Sequence, residues 1–108
     1  MLSIVGVYFM SLHINVNREL IADFCRRHHI CRFAFFGSVL RDDFRPESDV
    51  DVLLEFEVGH IPGLIQLMAM QLEFSDLIGR EADFRAPGDL HRAFRDRVIA
   101  EAEVLYAA

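Results

Sequence analysis

Lysine and tryptophan are absent from these 108 residues, cysteine occurs twice and proline three times. With all eleven basic charges on arginine against seventeen acids, the formal net charge is −6. That sign is wrong for a domain that grips long nucleic acid by neutralising its phosphates, whereas a small nucleotide carried by metal ions stays compatible. Cys25 and Cys31 are too few for a disulfide framework and do not form the paired doublets of a zinc site, so both read as reduced thiols of a cytoplasmic protein. The apolar start, Met1 to Met10, lacks a basic leader and a small-residue cleavage site, and it falls well short of the about 20 residues of a spanning helix. No membrane association or export is expected. Met10, shortly before the first helix signal, is read as an alternative start, with residues 1–9 an extension.

Repeats, low-complexity tracts and linkers are lacking too, so residues 1–108 are read as a single domain around one core. What the chain has in excess is apolar. Hydrophobic residues make up 53% of it, ten of them Phe, above the usual share; part of that surplus is expected on an exposed patch that meets a partner.

Leu20, Ile21, Phe24, Cys25 and His28 recur at helical spacing after two candidate N-caps, Asn15 and Asn17, which predicts an amphipathic helix over residues 18–28. Phe33 to Phe36 is a short aromatic run stopped by Gly37, a buried strand. From Asp49 to Phe56 the pattern alternates: Val50, Val52, Leu54 and Phe56 face one way, Asp49, Asp51, Leu53 and Glu55 the other. Pro62-Gly63 opens a second helix through Leu64, Ile65, Leu67, Met68, Leu72, Phe74 and Ile78, with Gly79 as its C′ residue. Residues 80–85 alternate again, with Ala82 and Phe84 opposed to Glu81, Asp83 and Arg85. Pro87-Gly88-Asp89 then turns into a last helix carrying Leu90, Phe94, Val98, Ile99 and Leu105. The order predicts an α/β (α+β) sandwich: one small sheet, helices on one face, the other face open for a site.

His28-His29 followed by Cys31 suggests a metal site, but adjacent helical residues point about 100° apart and no further ligand cluster is evident, so an ordinary helix end is expected. His13, His60 and His91 are scattered and read as surface or capping residues, and Arg92, Arg95 and Arg97 as a solvated helix face.

The chemistry points to the open sheet face. Acids at i and i+2 of a strand project together about 6–7 Å apart, at a rise of about 3.3 Å per residue. Asp49 and Asp51 are therefore placed to share magnesium, which accepts carboxylate oxygens plus water and substrate phosphates; metal-assisted phosphoryl transfer uses two such ions about 3.5–4 Å apart. Gly37 lets the backbone approach a phosphate, Ser38 and nearby amides donate to it, a helix starting there would add positive charge, and Arg41 reaches the same region. A third carboxylate is expected from a neighbouring strand. Asp83 is the first candidate and Glu81, on the same face, its rival.

The run Gly37-Ser38, ten residues, Asp49-Val50-Asp51 resembles the signature of the DNA polymerase β-like nucleotidyltransferase superfamily. Past the signature the chain resembles the minimal nucleotidyltransferase antitoxins that pair with HEPN-domain toxins: in Ser48 to Phe56, at Pro62-Gly63-Leu64, in Leu77-Ile78-Gly79-Arg80 before Asp83, at Ala86 to Leu90, and near Val104-Leu105-Tyr106. Around Asp83 the family's Val-Asp-Leu-Val is here Ala82-Asp83-Phe84-Arg85, and Arg85 alters the charge of the pocket.

The resemblance implies a small mixed sheet of the polymerase β-like fold and a type VII-like antitoxin. Its implied activity is protein adenylylation, moving AMP from ATP to a tyrosine of a cognate HEPN ribonuclease toxin. Asp49, Asp51 and Asp83 become the catalytic and metal-binding residues, for two Mg2+ ions; Gly37, Ser38, Arg41 and Ser48 become the nucleotide contacts. The partners implied are the toxin and ATP, with homo- or hetero-oligomers compatible. A binding-only antitoxin, and a transferase acting on RNA or a small molecule, are the competing readings.

Overall fold

The computed structural model describes residues 16–40, 45 and 47–108. Helix α1, Arg18–Arg27, starts where Asn17 Oδ1 accepts the backbone N–H of Glu19 (2.9 Å) and of Leu20 (3.2 Å), satisfying two of the donors a helix start leaves open. Asn15, the other candidate cap, lies outside the described residues. The periodic residues Ile21, Phe24 and Cys25 are buried, and Arg26 and Arg27 complement the dipole at the far end. Burial pushes the Cys25 thiol up to about 12, so it stays protonated and inert.

Four strands follow: β1 (Ile30–Phe36), β2 (Val50–Phe56), β3 (Ala82–Arg85) and β4 (Glu103–Ala107), in the order β3-β2-β1-β4. β1 runs antiparallel to β2 and β4, while β2 and β3 are parallel. Helix α2 (Leu64–Ile78) makes the crossover that parallel pairing requires, and Gly79 ends it in the left-handed conformation, φ 68°. The sheet is mixed and the α/β class is as expected.

Alternation divides the sheet into two faces. Phe33 and Phe35 of β1, Val52 and Leu54 of β2, Phe84 of β3 and Leu105 of β4 meet α1 and α2 in the main core. There the Phe74 ring of α2 lies 5.1 Å from Phe33, 5.2 Å from Phe24 and 5.9 Å from Phe84. Such tilted aromatic contacts add to the stabilisation from area buried.

The chain end departs from expectation. The region read as one helix consists of a 3-10 turn at Pro87–Asp89, a short helix α3 (Arg95–Glu101) and strand β4. Ala102 takes an extended conformation (ψ 143°), and Leu105 is buried as a strand residue on the helix-covered face. Local propensity favours helix in this Ala- and Glu-rich tail, but the free edge of β1 offers a row of backbone donors and acceptors that pairing satisfies. Helix α3 also lies on the face expected to be open. Val98 and Ile99 pack there with Ala34, Leu53 and Leu90 in a second, smaller core, so Leu53 is buried although it shares a face with the acids.

Among the described residues, most of the exposed large hydrophobics lie along α2. Only Met70 and Phe74 of that helix are buried, while Leu64, Ile65, Met68 and Leu72 are more than half exposed. Among the described residues, no helix is long and apolar enough to cross a membrane.

Candidate active site

β1 ends at Phe36 and the chain turns through the 3-10 segment Gly37–Leu40, returning as β2 at Val50. Gly37 sits at φ 75°, a conformation that disfavours any side chain. Its missing Cβ has a second purpose. A Cβ at this position would clash with Asp51 Oδ2 and lie 3.3 Å from Asp51 Cγ. The glycine expected to make room for a phosphate thus makes room for the Asp51 carboxylate.

Asp51 pairs across the sheet with Phe36 on one side and Asp83 on the other. Neighbouring strands are about 4.8 Å apart, so the two carboxylates are lateral neighbours on the face away from α1 and α2. Asp49 precedes the strand and is exposed. Glu81 also precedes its strand; its carbonyl accepts the Val50 N–H at 2.8 Å, which holds β3 in register with β2.

These acids repel one another. Burial, and then the charges of Asp83 and Asp49, raise the pKa of Asp51 above the usual carboxylate value. Arg85 and a backbone hydrogen bond from Ser38 offset part of this. Arg85 donates from Nε (3.3 Å) and Nη2 (3.1 Å) to Asp83 Oδ2. The side chain that departs from the family pattern therefore binds one of the acids.

The loop before Asp49 is built on its own polar groups. Ser48 Oγ accepts the Arg45 N–H (3.2 Å) and the Ser48 N–H donates to the Arg45 carbonyl (3.0 Å). Ser48, expected as a nucleotide contact, thus has its hydroxyl in the turn. Arg80 braces the same loop, donating from Nη2 to the carbonyls of Arg45 (2.8 Å) and Ser48 (3.1 Å). Ser38 Oγ lies 3.4 Å from the Asp49 carbonyl. Arg41 lies outside the described residues.

Two clefts flank this face. One, of about 310 Å3, is lined by Asp51, Asp83, Arg85, Phe36, His91 and Phe94, among others. The other, of about 510 Å3, runs past Gly37 and Leu40 to Phe94, Arg97 and Val98. Phe36 and Phe94 border both. The wall contributed by residues 89–98 escaped the sequence reading because a continuous helix was expected there. Its available signal was the Pro87-Gly88-Asp89 turn, where Asp89 Oδ2 accepts the Ala86 N–H at 3.1 Å. His91, read as a surface or capping residue, lines the first cleft while its Nδ1 accepts the Ala93 N–H at 3.0 Å. Arg97, read as part of a solvated face, lines the second.

The nucleotidyltransferase domain model matches residues 18–106.

The chain belongs to the nucleotidyltransferase domain family.

Among relatives, it is 30% identical over 91 residues to MJ0435 of Methanocaldococcus jannaschii, named as an inferred protein adenylyltransferase; the match covers 84% of this chain and 96% of that protein. Protein adenylyltransferase MntA of Thermococcus cleftensis is 28% identical over 75 residues, covering 69% of this chain and 74% of the relative. Among solved structures, an inferred minimal nucleotidyltransferase superposes with a TM-score of 0.65 at 34% identity, covering 79% of this chain and 85% of the other. A toxin-antitoxin complex crystallised with AMP-PNP shares the fold at a TM-score of 0.69 and 14% identity, covering 86% of this chain and 75% of the matched one. Membership of the nucleotidyltransferase family, expected from the Gly-Ser and Asp-X-Asp spacing, is thereby borne out.

Proposed function

We propose that this nucleotidyltransferase is an antitoxin that works as a protein adenylyltransferase, moving AMP from ATP to a tyrosine of a partner HEPN ribonuclease and so silencing it. The observation that carries the reading is the carboxylate face. Asp51 and Asp83, paired across parallel strands, line a cleft, and the charge of Asp49 is close enough to act on Asp51.

The residues fit Mg2+. Three carboxylates supply the hard oxygen donors it prefers; burial first, and then the charges of Asp83 and Asp49, raise the pKa of Asp51, and a cation would relieve the repulsive part. Asp49, Asp51 and Asp83 would hold the ions, which when bound neutralise charge on the transferring phosphorus.

The chain's own residues then have distinct tasks. Gly37 leaves the space that lets Asp51 face the cleft, and Ser38, next to it in the turn, would take the outer phosphates of ATP. Phe36, Leu40, Phe94 and Val98 offer apolar walls for a base, with Arg97 a cation nearby. The tyrosine oxygen attacks the α-phosphorus, the bond to the bridging oxygen breaks, and pyrophosphate leaves. Asp83 accepts the tyrosine proton; both Arg85 hydrogen bonds go to Oδ2, so Oδ1 is the accepting atom.

The relatives support a protein as acceptor, since two of those matched are named protein adenylyltransferases. The exposed apolar row on α2 offers contact surface suited to a protein. The site of action is the cytoplasm, in keeping with the free thiols Cys25 and Cys31.

Incubation with α-labelled ATP, Mg2+ and the neighbouring gene's product tests the reading. Label is expected on a tyrosine, and Asp49→Ala, Asp51→Ala and Asp83→Ala should each lower its transfer by at least about a hundredfold, the scale of losing one charge-stabilising group. Transfer at the wild-type rate in those variants rejects the assignment, and label on RNA or a small molecule redirects it. Neutralisation that persists without transfer identifies a binding-only antitoxin.

A further inference from the structure

At the end of the sheet remote from the carboxylates, two chain segments bring together residues that the sequence scatters. His29, between α1 and β1, meets Glu57 and His60, which follow β2. One ligand atom from each lies within 4.8 Å of the other two. His29 Nδ1 is 3.6 Å from Glu57 Oε1, and the His29 and His60 rings stack at 3.8 Å between centroids, 16° from parallel.

Backbone hydrogen bonds make the cluster. The Glu57 N–H donates to the His29 carbonyl (2.9 Å), which clamps the two segments together. The His60 N–H donates to the Glu57 carbonyl (3.0 Å), closing a tight turn through Gly59 at φ 84°. His29 adopts a left-handed φ of 58° to point where it does. Its neighbour His28 turns away to Glu73, 3.0 Å distant.

We infer that His29, Glu57 and His60 form a binding site for a borderline transition-metal cation, Zn2+ foremost, distinct from the carboxylate face. Two imidazoles and one carboxylate are a ligand set zinc uses, with the fourth position left to water. Ligands about 2.0–2.1 Å from a tetrahedral ion stand about 3.3 Å apart; one pair here is already at 3.6 Å. All three side chains are exposed, so unstacking the two imidazoles to turn a nitrogen of each toward one ion requires side-chain rotation and no movement of the core. Mg2+, which prefers oxygen donors, does not suit this set. The nearby Arg27 guanidinium is paired, at 2.6 Å with Glu73 and 3.1 Å with Asp23, so its repulsion of a cation is partly cancelled.

From Asp51 to Glu57 is six residues of extended chain, about 20 Å. A cation there sits outside the transfer site, tying the start of β1 to the turn that leads into α2. Its action is on the stability of that junction.

Calorimetric titration of the full chain with ZnCl2 in excess MgCl2 tests this, comparing wild type with His60→Ala, Glu57→Gln, His29→Asn and Asp51→Asn. Asparagine tolerates the left-handed backbone, so His29→Asn removes the ligand and keeps the turn. One Zn2+ per chain is expected, bound at least tenfold more weakly by the three cluster variants and unchanged by Asp51→Asn. Zn2+ should also raise the unfolding temperature of wild type and leave that of His60→Ala in place. Absence of saturable binding in the micromolar range overturns the inference. So does an affinity that the cluster variants retain or that Asp51→Asn abolishes.

Discussion

Replacing Gly37 with alanine forces two penalties onto one methyl group, and a second substitution separates them. The first is conformational: an L side chain at φ 75° costs about 1–2 kcal/mol. The second is steric, because the new Cβ clashes with Asp51 Oδ2 and lies 3.3 Å from Cγ. Either the carboxylate leaves the cleft or the strand shifts, and overpacking of this kind costs about 1–3 kcal/mol. Together they predict a loss of about 2–5 kcal/mol, less up to about 1 kcal/mol regained from the stiffer unfolded chain.

In an Asp51→Ala background only the Cβ of residue 51 remains, 3.5 Å from the new methyl, an ordinary contact. There Gly37→Ala should cost the conformational penalty alone, so the four proteins of the cycle should show a coupling of about 1–3 kcal/mol in urea unfolding. Transfer activity should fall with the single substitution as well, since the displaced carboxylate is the proposed ligand. Equal costs in the two backgrounds, within about 0.5 kcal/mol, would refute the claim that Gly37 exists to seat Asp51.

Asp51→Asn should abolish transfer and yet stabilise the fold at neutral pH, because it removes a charge that burial, Asp83 and Asp49 disfavour. The sign follows from linkage: with its pKa raised in the folded state, Asp51 contributes stability that is fully present below its unfolded pKa and lost as pH rises through the folded one. The difference in stability between the variant and wild type should accordingly widen from acid to neutral pH, and parallel profiles would contradict it. Arg85→Ala should lower the Mg2+ concentration giving half-maximal transfer by several-fold, on the scale of about 1 kcal/mol for an exposed ion pair, since Arg85 occupies Asp83 Oδ2 and adds positive charge beside Asp51. An unchanged or higher Mg2+ requirement would show that the guanidinium does not compete there.

Much of the fold was legible because burial leaves a periodic trace. The spacing of Ile21, Phe24 and Cys25, the alternation from Asp49 to Phe56, and Gly79 at a helix end all led to elements the structure contains. The tail failed because its composition favours helix while the unpaired edge of β1 captures it as a strand. Leu53 and the apolar row of α2 failed differently. Hydrophobicity says that a residue prefers burial, yet Leu53 is buried among acids' neighbours and Leu64, Ile65 and Leu72 stay exposed, because what packs over them is set by other elements.

At the site, the pattern identified which side of the strand Asp51 and Asp83 share, since side-chain direction alternates with chain position. Their adjacency is a property of pairing: β3 lies parallel to β2 in a register that opposes Asp51 to Asp83. The close approach of Gly37 to Asp51, the Arg85 hydrogen bonds to Asp83 and the meeting of His29 with His60 likewise depend on which segments the sheet brings together. Sequence by itself determined the elements from α1 to β3, the alternation of their faces and the Gly-Ser to Asp-X-Asp spacing, because these are local consequences of residue type and order. Tertiary structure alone decided which carboxylates are neighbours, which face α3 covers and which histidines meet, because contacts between distant segments are settled by competition for strand edges and buried surface, and no local pattern records the winner.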